Sequence, residues 1–247
     1  MAEVDIAPEL YEQIRLIFNR KMSAARAGNH KTLFKAVETG KPTYKQADEY
    51  SRIVGSYMSQ ALQQTLTIDA LPNGKLYYNI AERTLGQALV DGYEIVADGA
   101  VRAQRAVNEA AEIGIKPIRP AFATNRAEGL VDLISAADII TDEAWVLGDP
   151  VVNFHQHIVD ESIEQNAKFH EEAGLEVTVT RTYDGIGLHD KGEPCPWCLA
   201  RVGTYHSYEA ALSAGAFQRH VGCRCPIDYT SKKGETTRNV SRTSGWF

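Results

Sequence analysis

Every cysteine of this chain lies in one of two short stretches: Cys195-Pro-Trp-Cys198, and His220-Val-Gly-Cys223-Arg-Cys225 about two dozen residues later. Thiolate and imidazole are the soft and borderline ligands that zinc prefers, and tight knuckles aim two side chains at one point. The spacing therefore predicts one tetrahedral Zn²⁺, with Cys195, Cys198, His220, Cys223 and Cys225 as candidate ligands. Five donors compete for four places. The C-x-x-C pair supplies two, and two of the remaining three complete the shell. His220 with Cys225 is the favoured pair, because the Cys223 side chain is expected to point the other way across a short extended turn. A shell of four cysteines is the alternative. Four protein ligands leave no position for water, so the ion is expected to hold structure and not to catalyse.

Competing readings of the same cysteines are weaker. The opening Met1-Ala-Glu-Val-Asp-Ile6 has neither the basic start nor the apolar run of a secretory signal. Disulfides are disfavoured in a reducing cytosol, and a chain of 247 residues does not need staples. A redox C-x-x-C belongs near the start of a βαβ unit, not near a C-terminus among turns.

The elements that must position these residues read as mainly α, with a small C-terminal α+β zinc-binding module. Pro8 opens a helix in which Leu10, Ile14, Ile17 and Phe18 recur at helical spacing until about Gly28. A loop around Gly40-Lys-Pro42 follows. Thr43 is an N-cap candidate for a second helix, whose apolar face is Tyr50, Ile53, Val54, Tyr57, Met58 and Ala61. Leu71-Pro-Asn-Gly74 is a turn. A long alanine-rich helix is expected from Leu76 to about Gly114, where Gly86, Gly92 and Gly99 mark bends or close helix contacts. A fourth helix covers about Thr124 to Ala137. A fifth starts near Thr141 and runs, with an interruption at Gly148-Asp-Pro150, to about Ala173.

After Gly174 the texture changes. Leu175 to Tyr183 alternates and is rich in β-branched residues, which predicts a strand. Asp184-Gly185 is a turn. A short helix is expected from Ser207 to Ala214, and short strands at Ala216-Phe-Gln-Arg219 and Pro226 to Thr230. The organisation is then a helical body over 1–173, a zinc-binding module over 174–230 and a flexible basic tail over 231–247.

Charge is uneven along the chain. The whole carries a formal net charge of -6, yet from Cys195 to Phe247 seven cationic side chains stand against three anionic ones, leaving about -10 on the rest. The overall balance argues against a general nucleic-acid coat. The basic tail suits either weak contact with DNA phosphate or plain solvation. No apolar stretch approaches the length that spans a bilayer, so no membrane partner is expected.

The string C-x-x-C-x-x-x-x-Gly followed by His-x-x-Cys-Arg-Cys resembles the C-terminal signature of Mu F-type bacteriophage head morphogenesis proteins. The matching residues are Cys195, Cys198, Gly203, His220, Cys223, Arg224 and Cys225. That family usually has proline and asparagine after the histidine, where this chain has Val221 and Gly222. The resemblance is specific over about thirty residues, and loose over the long helices before them. It implies a minor head protein of the virion, made in the host cytoplasm, present in few copies near the portal. Its implied partners are the portal or major head protein, and a homo-oligomer within the particle. Relatives with fused toxin or nuclease domains exist; no such extra domain is legible here.

Enzyme readings find less support. Zinc-stapled ββα nucleases set a catalytic histidine beside a structural zinc, and His206 or His189 could be such a base. No His-Asn-His spacing or paired acidic ligands for Mg²⁺ accompany them. His155 and His157 lie two apart on a helix and point away from each other, whereas His157 and Glu161 share a face. Arg181, Tyr183 and Glu193 give one arginine and one glutamate, too few for an ADP-ribosyltransferase. The reading is therefore a structural protein, not an enzyme, with a zinc-stapled nuclease or a DNA-binding adaptor as the alternative.

Overall fold

The computed structural model describes residues 5–184 and 195–233, and these are mainly helical with one small antiparallel sheet. Helix α1 (Ala7–Ala27) starts with Pro8 in its first turn, where the missing N–H costs nothing, and buries Leu10, Ile14, Phe18 and Met22 along one face. Helix α2 (Lys31–Thr39) occupies a stretch with no helix expected; two residues, Phe34 and Val37, carry its buried face. Helix α3 (Tyr44–Thr65) opens on a full capping box. The Thr43 side chain accepts from the Gln46 N–H, and the Gln46 side chain reaches back to the Thr43 N–H.

The long alanine-rich helix is broken into a short α4 (Tyr78–Ala81), a π-helical turn (Glu82–Gly86) and α5 (Gln87–Ala110). The glycines within it act where the helices cross. A Cβ on Gly92 would lie 1.9 Å from His155 Nε2, and one on Gly99 would lie 2.7 Å from Val37 Cγ1. Helix α6 spans Thr124–Ala136. The fifth predicted helix begins later than its pattern suggested. Two 3₁₀ turns, Ile140–Asp142 and Ala144–Leu147, precede α7 (Asp149–Glu172), because Gly148 breaks the chain direction and Pro150 restarts it in the first turn. Helix α7 is the central element and packs against both α3 and α5.

The sheet follows. Strand β1 (Leu175–Arg181) is central, with β2 (Gly203–Tyr205) on one side and β3 (Ile227–Lys233) on the other, all antiparallel. Between them lie two short helices, α8 (Pro196–Leu199) and α9 (Tyr208–Ser213), the latter capped by Ser207. Strand β3 runs through Lys233, three residues beyond Thr230, where the module was expected to end. The strand expected at Ala216-Phe-Gln-Arg219 is absent. Gly215 at φ +67 turns the chain there, and the carbonyls of Ala216 and Gln218 face a guanidinium in place of a neighbouring strand. Sheet and helices share one apolar core: Val177, Val179, Tyr208, Phe217, Ile227 and Tyr229 belong to the same buried cluster as the residues of α1 to α7. Among the described residues no helix is long and apolar enough to cross a membrane. Gly185, His189 and Glu193, and the tail beyond Lys233, lie outside the described residues.

Candidate metal centre

The first knuckle is one helical turn. Pro196 sits at the start of α8, and the Cys195 carbonyl accepts the Leu199 N–H at 3.0 Å. Residues three apart on such a turn face the same way, so Cys195 and Cys198 point into a common space. The second knuckle is a reverse turn. The Cys223 N–H donates to the His220 carbonyl at 3.0 Å, and Gly222 takes φ +74, a left-handed value that glycine adopts without a Cβ penalty. Asn153 of α7 clamps this turn from below. Its Oδ1 accepts the Gly222 N–H at 2.6 Å and its Nδ2 donates to the Cys223 carbonyl at 3.2 Å.

Together the knuckles form a cluster of candidate metal ligands that contains all five residues read from the sequence. Cys195, Cys198 and His220 make one compact triad; Cys198, Cys223 and Cys225 make a second; Cys198 belongs to both. All four cysteines are buried and are free thiols. His220 Nε2 lies 3.0 Å from Cys198 Sγ and 3.4 Å from Cys195 Sγ. The Cys223 side chain turns into the cluster, with its sulfur 3.7 Å from that of Cys198. The expectation that it would point away assumed an extended turn, whereas the left-handed Gly222 reverses the chain just before it. Two sulfurs on one tetrahedral zinc, each about 2.3 Å from the ion, stand about 3.8 Å apart, so this edge fits a shared ion.

The imidazole is poised as a donor of electron pairs. His220 Nδ1 lies 2.7 Å from the Val221 carbonyl oxygen, which can only accept, so Nδ1 carries the proton and Nε2 presents its lone pair to the thiols. The Trp197 ring stands edge-on to His220 at 5.0 Å and fixes its plane. The thiols perturb one another. The Cys223 thiol is held well below the usual range, first by the hydrogen bond from Cys225 and then by the Arg219 and Arg181 charges. Contact with Cys223 and burial push the Cys225 thiol up, and burial pushes Cys198 up to about 11. A dense group of buried thiols beside an imidazole is chemistry suited to a soft or borderline cation.

Two arginines that the cysteine spacing did not flag complete the surroundings. Arg181, at the end of β1, donates to Cys223 Sγ at 3.3 Å. Arg219 donates to the Cys225 carbonyl and pairs with both Asp48 of α3 and Asp160 of α7. The Trp197 ring has the Arg201 guanidinium 3.7 Å and the Arg181 guanidinium 5.7 Å from its centre.

Among the described residues, the other histidines do not join the cluster. His206 is exposed, and its Nδ1 lies 3.5 Å from Thr178 Oγ1. His155 is buried, with Nδ1 bonded to the Val151 carbonyl at 2.7 Å. His157 is 3.8 Å from Glu161 on a separate, partly exposed face of α7. Tyr183 accepts the Cys195 N–H at 3.3 Å through its hydroxyl and so belongs to the knuckle's scaffold. No protein-family model, curated protein or solved structure matches the chain.

Proposed function

We propose that this protein is a structural minor head protein of a tailed bacteriophage that acts in head assembly near the portal and carries one structural Zn²⁺. The observation that carries the reading is the gathering of Cys195, Cys198, His220, Cys223 and Cys225, all residues of the resemblance, into two triads that share the buried Cys198. The departure from that family's pattern keeps the turn it serves. Type II turns favour proline at their second position and glycine or asparagine at their third, where φ is positive. Gly222 holds that third position at φ +74.

Zinc suits the donor set better than a hard cation would, since it is all sulfur and nitrogen. A shell filled by four protein ligands would brace the two knuckles against α7 and the sheet, and would leave no site to activate water. The long helices α3, α5 and α7 then form the body that meets the portal or the major head protein, and closed rings are the natural assembly if it follows portal symmetry. The basic C-terminal stretch would touch DNA only weakly.

The neighbouring genes test the class directly. Portal and scaffold genes beside this one, and the chain itself in purified particles at few copies, are expected. Its absence from particles, with metal-dependent plasmid cleavage by the pure protein that is lost in His206→Ala, would replace the structural reading with a nuclease.

A further inference from the structure

Arg181 is 1% exposed, yet it carries a charge that cannot be given up, because guanidinium stays protonated in proteins. Burying such a charge without an anion is costly. Its partners are two backbone carbonyls and a sulfur. Nη1 donates to the carbonyls of Ala216 and Gln218, and Nη2 donates to Cys223 Sγ at 3.3 Å. Carbonyls are dipoles and leave the net charge in place. Among the described residues, Cys223 is the one partner of this guanidinium that can become an anion. The neighbouring buried arginine, Arg219, already has Asp48 and Asp160.

Building on the zinc reading above, we infer that Arg181 is a positioning residue of the metal site, which holds Cys223 in the shell as a thiolate ligand. The charges support this. Three thiolates on a dication leave one negative charge, and one guanidinium balances it. A shell with Cys225 in place of Cys223 would carry the same net charge but would leave the guanidinium in contact with no ligand, since its sulfur contact is to Cys223 Sγ. The geometry supports it too. Cys223 Sγ already stands at a tetrahedral edge distance, 3.7 Å, from Cys198 Sγ. An N–H aimed at a ligating atom is the outer contact that orients metal ligands. Arg181 is well anchored for that work: its residue pairs with Gly203 on β2 and with Ile227 on β3, and its fork spans the turn at Ala216 and Gln218. The guanidinium thus ties the metal shell to the central strand.

The test uses the full chain loaded with Co²⁺, whose sulfur-to-metal charge-transfer band counts thiolate ligands, and a competing chelator to measure affinity. Arg181→Met should weaken Co²⁺ binding by about 10- to 100-fold and lower the charge-transfer band toward that of Cys223→Ser. Arg181→Lys, which keeps the charge and loses the fork, should fall between. Arg181→Met combined with Cys223→Ser should bind no more weakly than Cys223→Ser alone. A folded Arg181→Met with wild-type affinity and band would overturn the inference, as would a Cys223→Ser with an unchanged band. If Arg181→Met does not fold, Arg181→Lys decides, and unchanged affinity there overturns the inference. A wild-type chain that takes up neither Co²⁺ nor Zn²⁺ would defeat the zinc reading itself and this inference with it.

Discussion

Arg219 and Arg181 are both buried guanidiniums, and the two regions around them solve the same electrostatic problem differently. Arg219 joins helices. It is held by Asp48 from α3 and Asp160 from α7, with Asp48 2.8 Å from Nη2, and its side chain is 5% exposed. Its partners are carboxylates that the fold itself supplies. Among the described residues, Arg181 has no such carboxylate. Its counter-charge is a sulfur, which is anionic to the extent that the cysteine cluster is loaded or polarised. On the proposed reading, one region is stabilised by residues alone and the other depends on what the cluster binds. The lesson is that a shared apolar core does not make the two regions equally self-sufficient.

The largest effect that could break this contrast is expected at the cluster. Cys198 belongs to both ligand triads, so Cys198→Ser should abolish stoichiometric metal binding and loosen the knuckles. Structural zinc contributes about 10–16 kcal/mol of apparent binding free energy in isolated fingers, so the loss of even part of it should be visible. Far-ultraviolet circular dichroism should keep most of the helical signal, and limited proteolysis should cut near residues 195–225. Retained metal with wild-type protease resistance would show that Cys198 does not carry the site.

On the other side of the comparison, Arg219→Met should cost about 3–5 kcal/mol in urea unfolding, because it leaves Asp48 and Asp160 buried beside each other. It should do so in the metal-free protein as well. A loss that appears only in the loaded protein would erase the distinction between the two arginines.

Acid offers a smaller probe of the helical region. Burial lowers the His155 pKa from 6.5 to about 4, although its Val151 contact opposes the shift. The unfolded chain therefore binds a proton near pH 6.5 that the folded chain refuses. Stability from this group is full above pH 6.5 and is lost as pH falls toward 4, by up to about 3 kcal/mol. His155→Asn should flatten the slope of stability against pH in that window. An unchanged slope would mean His155 is not held neutral. The smallest expected effect is Gly92→Ala. The added methyl would meet His155 Nε2 and cost about 1–3 kcal/mol through overpacking, read as a lower urea midpoint. An unchanged midpoint would show that the α5–α7 crossing can open at no cost.

Much of this arrangement is legible in the chain. The N-cap at Thr43, the proline start of α1 and the alternating strand from Leu175 are local signals, and local physics decided them, whereas Pro150, read as an interruption, is the start of α7. The five donors were legible because spacing within each knuckle is a local constraint as well. The side-chain direction of Cys223 was not, since it depends on the left-handed turn at Gly222. Helix α2 was missed because two buried residues, Phe34 and Val37, are too few for a periodic pattern. The strand assigned to Ala216-Phe-Gln-Arg219 had suitable residues, but its backbone carbonyls are taken by Arg181. That arginine did leave a trace in the sequence. It falls in phase with Val177 and Val179, so the alternation that buries the valines buries a charge with them. A cation on the buried phase of a strand calls for a partner, and nothing nearby in sequence named Cys223, 42 residues on.

Metal content tests the central claim most directly. The full chain, purified under reducing conditions without chelator, should contain about one zinc per molecule by elemental analysis, with the ligating thiols resisting alkylation until the metal is removed. A metal-free protein whose Cys195, Cys198, Cys223 and Cys225 are joined in disulfides would contradict it.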